Sequence, residues 1–331
     1  MLSRRSVLAA TAIAAAGSPA LAQAAPVRFQ LGWIPNVEYA GLWLGLEQGL
    51  FAKAGVSVQW FPGGPNAPAA PVMIAAGKAD LGVTGWFPFL DAVARGNDLV
   101  VIAAVFPRNP LGIISLAKKP IRTPRDIVDS KILVQGAVEK TAVDATLALA
   151  NLPVRWTQVP AGFSPEPLLG GAGDGYTAFS TNQVITLERM GLVRDKDFFF
   201  ASFDELGFRS YGGIIVASRT WVAAHRPTAI SFVRGLIGGW QADEADPSIA
   251  PRLAVDKYGA DLGLDLQQQT RQNQMQVPLL HYDNNRLPLL SLDRELMAGP
   301  MYDAARAAGR KDLPPVEKVA DFDIVAEAHR S

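Results

Sequence analysis

The sequence contains no cysteine. Disulfides, thiolate nucleophiles and cysteine-ligated zinc or iron–sulfur clusters are therefore excluded, as is a lipid anchor on an N-terminal cysteine. Histidine is nearly as scarce. His225, His281 and His329 all lie in the C-terminal third, where surface or capping roles suit them better than ligation. Only His281, beside Tyr282 and Asp283, merits comparison with a pocket. Neither charge is in surplus, with 31 Lys plus Arg against 31 Asp plus Glu. A nucleic-acid partner, which needs a basic excess to meet phosphates, is not expected. Catalytic signatures are missing as well: there is no G-x-S-x-G, no P-loop and no H-E-x-x-H. The nearest approach to a nicotinamide fingerprint, Gly170 to Gly175, leads into a strand rather than a helix. These absences predict a protein that is not an enzyme, with no catalytic residues, no metal and no cofactor.

Long apolar runs are also lacking. Val7 to Ala16 is too short to span a bilayer. Ser3-Arg4-Arg5-Ser6-Val7-Leu8 sets a twin arginine ahead of it, and Ala20-Leu21-Ala22-Gln23-Ala24 follows with small residues of the A-x-A type. Together these read as a twin-arginine-type signal peptide over residues 1–24, cleaved near Ala24 with Ala22 as the nearest alternative. Cleavage removes two basic side chains and no acidic one, leaving a slightly negative mature chain. That chain is expected in the periplasm, outside the membrane, as a monomer.

The 331 residues have room for two cores. After Pro26, strand and helix alternate. Strands are predicted over Val27 to Leu31, Val56 to Phe61, Leu81 to Thr84 and Leu99 to Val105, with helices between them. This order implies a parallel sheet covered on both faces. The pattern restarts at Gly112 to Ala117 and continues through strands at Lys131 to Val134, Val154 to Val159 and a turn entering a strand over Gly171 to Thr177. A third block opens with a strand at Gly212 to Ala217 and is helical from Trp221. Lacking a sheet of its own, it is expected to complete the first lobe. Gly77-Lys78-Ala79-Asp80 is loosely echoed by Gly171-Ala172-Gly173-Asp174. Either two similar lobes or a coincidence of turn residues accounts for that spacing.

In open α/β sheets, ligands bind outside the carboxyl ends of the strands. Trp33, Asn36, Glu38 and Tyr39 follow the first strand, Trp86 the third, and Phe106 and Asn109 the fourth. Gln135 and Gly136 precede a helix in the middle block, where Phe179, Asn182 and Gln183 follow a strand. Rings could stack on Trp33, Tyr39 or Trp86, and primary amides could read ligand heteroatoms. Each has an ordinary alternative. Trp33, Trp86 and Phe106 could be core. Asn182 and Gln183 could start a helix. Glu38 could complement a helix dipole or accept from amino groups. Gln135-Gly136-Ala137 could be a plain turn or an amide site for an anionic or carbonyl oxygen.

Leu31-Gly32-Trp33-Ile34-Pro35-Asn36, Tyr39-Ala40-Gly41-Leu42, Glu47-Gln48-Gly49-Leu50-Phe51 and Gly55-Val56 resemble the opening of the ABC-transporter solute-binding proteins for thiamine-pyrimidine precursors and their relatives. Ala75-Ala76-Gly77-Lys78-Ala79-Asp80-Leu81-Gly82-Val83 resembles that family's second signature, and Thr123-Pro124-x-Asp126-Ile127 fits its entry to the second lobe. Tyr39 stands where pyrimidine binders carry histidine, and Val184 where flavin binders carry proline. The resemblance implies an α/β periplasmic binding protein type II fold, two doubly wound lobes joined by two crossing strands. Lobe 1 would comprise 26–112 plus 213–331, lobe 2 would comprise 118–210, and the hinge strands 112–118 and 210–217. It implies capture of a pyrimidine- or flavin-like solute by hinge closure, with an ABC permease and its ATPase as partners. An aliphatic sulfonate or another small anion is the alternative ligand. A pyrimidine-synthase branch of the same superfamily uses a cysteine-rich motif and a pyridoxal cofactor; a chain with an export signal and no cysteine is not expected to share that chemistry.

Overall fold

The computed structural model describes residues 25–330. The signal peptide expected over 1–24 lies outside the described residues. No helix of the described residues is long and apolar enough to cross a membrane.

Ten strands form two five-stranded sheets. They are β1 (Val27–Gln30), β2 (Val58–Phe61), β3 (Leu81–Thr84), β4 (Leu99–Ala104), β5 (Leu111–Leu116), β6 (Lys131–Val134), β7 (Thr157–Pro160), β8 (Gly175–Phe179), β9 (Phe198–Ser202) and β10 (Ile214–Ser218). The first sheet runs β2-β1-β3-β10-β4, the second β7-β6-β8-β5-β9. The two orders are the same plan with one strand exchanged. β1 pairs in parallel with β2 and β3, and β6 with β7 and β8. β3 and β4 are buried throughout, as expected of strands covered on both faces.

The expectation of purely parallel sheets is corrected at one strand per sheet. β10 runs antiparallel between β3 and β4, and β5 antiparallel between β8 and β9. Ile214 begins β10 beside Thr84 and Ala104, the carboxyl ends of its neighbours. A chain arriving from the other sheet enters at that end, so it must run back down. The crossings also move. β5 and β10 are integral sheet strands, so the chain passes between sheets at 105–110 and 203–213 rather than along 112–118 and 210–217. Strand β9 was absent from the sequence pattern.

The Gly–Asp echo is structural. Asp80 donates its N–H to the Arg28 carbonyl and accepts the Arg28 N–H on Oδ2, both at 2.8 Å. Asp174 does the same with Lys131, at 2.7 and 2.8 Å. Each aspartate clamps the first residues of its lobe's leading strand, β1 or β6. Gly77 and Gly171 precede them with φ of 65° and 80°, conformations that glycine adopts without steric cost.

Seven helices matter for the site: α1 (Ala40–Glu47), α2 (Trp86–Ala94), α3 (Ala137–Leu149), α4 (Gln183–Arg189), α5 (Arg226–Ala245), α6 (Leu266–Gln276) and α7 (Tyr302–Ala307). α1 and α5 cross closely enough that a Cβ on Gly239 would lie 1.8 Å from the Gly41 carbonyl oxygen. The lobes touch in two chemically different ways. One is apolar: Phe87 and Phe89 of α2 and Met301 and Tyr302 at α7 share a buried cluster with Val143 and Leu147 of α3. The other is polar, between α4 and α6. Arg189 pairs with Asp265, and Arg271 pairs with Glu188 at 2.7 Å. Gln268 donates to Asn182 and to Thr186, each at 2.9 Å.

Candidate functional site

A cavity of about 350 Å³ opens where the carboxyl ends of the two sheets face each other. That volume suits a small organic molecule. Lobe 1 contributes Trp33 and the turn after it, the Gly63–Ala70 loop and Thr84 to Pro88. Lobe 2 contributes Gln135 to Glu139, Phe179, Asn182 and Gln183. The crossings contribute Asn109 and Ser210 to Gly213.

Trp33 is partly exposed on the cavity wall. Tyr39 is buried beneath it, and its hydroxyl accepts the N–H groups of Gly32 (3.1 Å) and Trp33 (2.8 Å). The phenol therefore anchors the loop that presents Trp33. Burial above all, with Glu38 nearby, holds the Tyr39 hydroxyl protonated, well above the usual phenol range.

Asn36 does not reach the cavity. It is 1% exposed, and its Oδ1 caps the turn Val37–Tyr39 by accepting the Glu38 N–H at 2.9 Å. Its carbonyl accepts the Trp43 indole N–H. Asparagine at that position satisfies an orphan turn donor, so the oxygen of the amide expected to read a ligand is taken up by the loop, while its Nδ2 is buried without a partner. Phe106 is likewise withdrawn, 1% exposed and edge-on to Trp240 in the lobe 1 core. Trp86 lines the cavity, but its ring stacks with Phe89 and Tyr302 and its indole N–H donates to Met301. Little of its face is left for a ligand.

The remaining amides build the walls. Asn109 donates to the Ser210 hydroxyl and the Tyr211 carbonyl, both at 3.0 Å, and accepts the Leu111 N–H at 2.9 Å. It ties one crossing to the other. Gln135 is held by Thr177 at both ends of its amide, at 2.6 and 3.0 Å. Gln183 accepts the Phe179 N–H at 3.0 Å. Asn182 accepts from Gln268 of the opposite lobe and so links the cavity wall to the polar contact. His281 pairs with Glu244, away from the cavity.

The electrostatic character comes from Glu38 and from Glu139, which the sequence reading missed. Both line the cavity. Burial, reinforced by Glu139, pushes the Glu38 carboxyl up to about 8. Burial also raises Glu139, and the Glu139 and Gly136 amides partly offset that rise. Of the amides expected to receive a ligand's anionic oxygen, that of Gly136 thus already acts on the protein's own carboxylate. Among the described lining residues there is no lysine, arginine or histidine. Glu139 was hidden because an acid in a helix's first turn reads as an ordinary dipole complement; only the opposing lobe gives it another role.

Comparison with known proteins agrees with this architecture. An alkanesulfonate-binding protein, SsuA, from Xanthomonas axonopodis pv. citri, determined bound to MOPS, superposes with a TM-score of 0.64 at 20% identity, covering 90% of this chain and 99% of that one. The periplasmic aliphatic sulphonate binding protein SsuA of Escherichia coli gives 0.64 at 17% identity, covering 89% and 91%. At these identities the likeness is one of fold: the chain has the two-lobed periplasmic binding protein architecture. A 4-amino-5-hydroxymethyl-2-methylpyrimidine phosphate synthase from Uromyces fabae is 25% identical over 228 residues. That match covers 66% of each chain, just short of two thirds of the relative's length. The profile described as "NMT1/THI5 like" matches residues 36–250, more than half of the sequence. The chain therefore belongs to the NMT1/THI5-like family.

Proposed function

We propose that the protein is the exported solute-binding component of an ABC importer. It would capture a small aromatic heterocycle between its lobes and present the closed form to a permease and its ATPase. The observation that carries this reading is the cavity itself, lined by strand-end loops of both sheets, with Trp33 exposed on its wall. A solute touching both lobes favours the closed arrangement because it binds that state more tightly. Lobe 1 would be 26–112 plus 213–331, lobe 2 118–210. The passages 105–110 and 203–213, braced by Asn109, would absorb the backbone rotation. The export signal expected over residues 1–24 supports a periplasmic location.

A sulfonate is the poorer fit. The lining offers no basic side chain, and Glu139 already faces the helix amides. An enzyme of the synthase type fits less well still. A pyridoxal cofactor is held through a lysine Schiff base, and the described lining has no lysine.

Native mass spectrometry of freshly purified protein should find a small aromatic solute bound one to one. Trp33→Ala should lose that solute with little change in thermal stability, and small-angle scattering should show compaction when it is added back. A pyridoxal-type absorbance, or a Trp33→Ala protein that unfolds rather than merely failing to bind, would refute the reading.

A further inference from the structure

We propose that the solute is a planar organic cation with adjacent N–H donors, an amidinium-type group, held between Glu38 of lobe 1 and Glu139 of lobe 2. This rests on the cleft-binding reading and specifies its charge. Two independent features point to it. The first is composition: the two carboxyl groups are the only charged side chains among the described cavity lining. The second is the absence of any protein partner for Glu38. No hydrogen bond or ion pair to its carboxyl occurs among the described residues, so this half-buried acid stands open to the cavity, opposite Glu139 of the other lobe. Two acids from opposite lobes facing one cavity, one of them without a protein partner, favour a ligand that brings positive charge and N–H donors.

The geometry also selects shape. Adjacent N–H donors match the two oxygens of a carboxylate, as a guanidinium does. The flat body of such a cation can lie against Trp33 and Phe179, where ring faces attract positive charge. Because the acids come from different lobes, a cation between them also screens a repulsion that closure creates.

Proton linkage follows. The titratable groups facing Glu38 are Glu139 from α3 and Tyr39 on its own turn, with Tyr176 beside Glu139. Burial holds the tyrosines neutral through the working range. At pH 7 the empty site keeps its proton on Glu38, whose carboxyl is pushed up to about 8. An arriving cation displaces it, so binding releases up to about one proton and strengthens as pH rises toward 8.

The test uses matched triplets on the full-length mature protein: pyrimidine-4-carboxamidine, the carboxamide and the carboxylate, and benzamidine, benzamide and benzoate. Calorimetry at pH 7 in two buffers of different ionisation enthalpy reads affinity and proton release together. The cation of each triplet should bind best, with proton release. Glu38→Gln and Glu139→Gln should each weaken it by roughly thirtyfold, the lower end for losing one partner of a buried charge pair, and should leave the neutral member unaffected. Should either variant fail to fold, the triplets on the wild-type chain remain decisive. Preference for the neutral or anionic member, or no binding by any of the six, overturns the assignment of charge. A co-purified neutral solute that still compacts the protein would overturn it too, while leaving the cleft-binding reading intact.

Discussion

Breaking the polar contact between α4 and α6 should open the cleft without unfolding either lobe. The informative change is the double variant Arg189→Gln/Arg271→Gln, which removes the pairs with Asp265 and Glu188. Asp265 itself must stay, since its Oδ1 caps α6 by accepting the Gln268 N–H at 2.9 Å. All four side chains are substantially exposed, between 26% and 56%. Each pair therefore contributes only about 0.2–1 kcal/mol, and the two together about 0.4–2 kcal/mol. That is enough to lower the closed-to-open ratio roughly two- to thirtyfold. The apolar contact of α2 and α7 with α3 is untouched, so the lobes stay joined along that edge. Small-angle scattering of the ligand-free protein should report a larger radius of gyration for the variant. Salt should expand the wild type toward the same value, since screening acts on exposed charges, and should leave the variant unchanged. Solute affinity should fall by the fraction of closed protein lost. Identical dimensions for the two proteins, insensitive to salt, would mean that this contact does not hold the lobes together.

Two further expectations concern lobe 1. Asp243 is fully buried, its Oδ1 accepting from Asn273 at 2.7 Å and its Oδ2 unpartnered. Burial pushes its carboxyl up to about 6. The folded state therefore keeps a proton that the unfolded chain releases. The resulting stabilisation is full below about pH 4 and lost as pH rises through about 6, on the order of 3 kcal/mol at most. Urea unfolding across that window should show the decline, and Asp243→Asn should flatten it; an unchanged slope would exclude Asp243 as its source. Gly239→Ala should destabilise by roughly 3 kcal/mol or more, because its Cβ meets the Gly41 carbonyl oxygen on α1. Gly238→Ala, whose Cβ comes no nearer than 3.3 Å to the flexible Leu50 side chain, should be neutral or slightly stabilising by thermal melting.

Local chemistry carried the strand-end logic a long way. Trp33, Tyr39, Gln135 and Phe179 follow or precede strands whose apolar runs are legible, and all four line the cavity. Asn36 and Phe106 have the same sequence signature and do not. Whether an asparagine in a loop faces a ligand or caps a turn depends on one backbone angle. Whether a phenylalanine after a strand faces the cleft or the core depends on where the chain turns. Neither is written in residue type. Glu139 escaped for the opposite reason: its local setting fully explains an acid, and only Glu38, about a hundred residues away in sequence, gives it a second meaning.

The order of residues determined by itself the absence of thiol chemistry and the alternation of buried strands with helices. These rest on side-chain type and on spacing within a few residues. Tertiary structure alone decided that β5 and β10 run against their neighbours, that the lobes meet through one apolar and one polar contact, and that two acids share a cavity with no basic side chain among its described lining. Those outcomes depend on pairings between distant segments, whose free energies arise only once folding has brought those segments together.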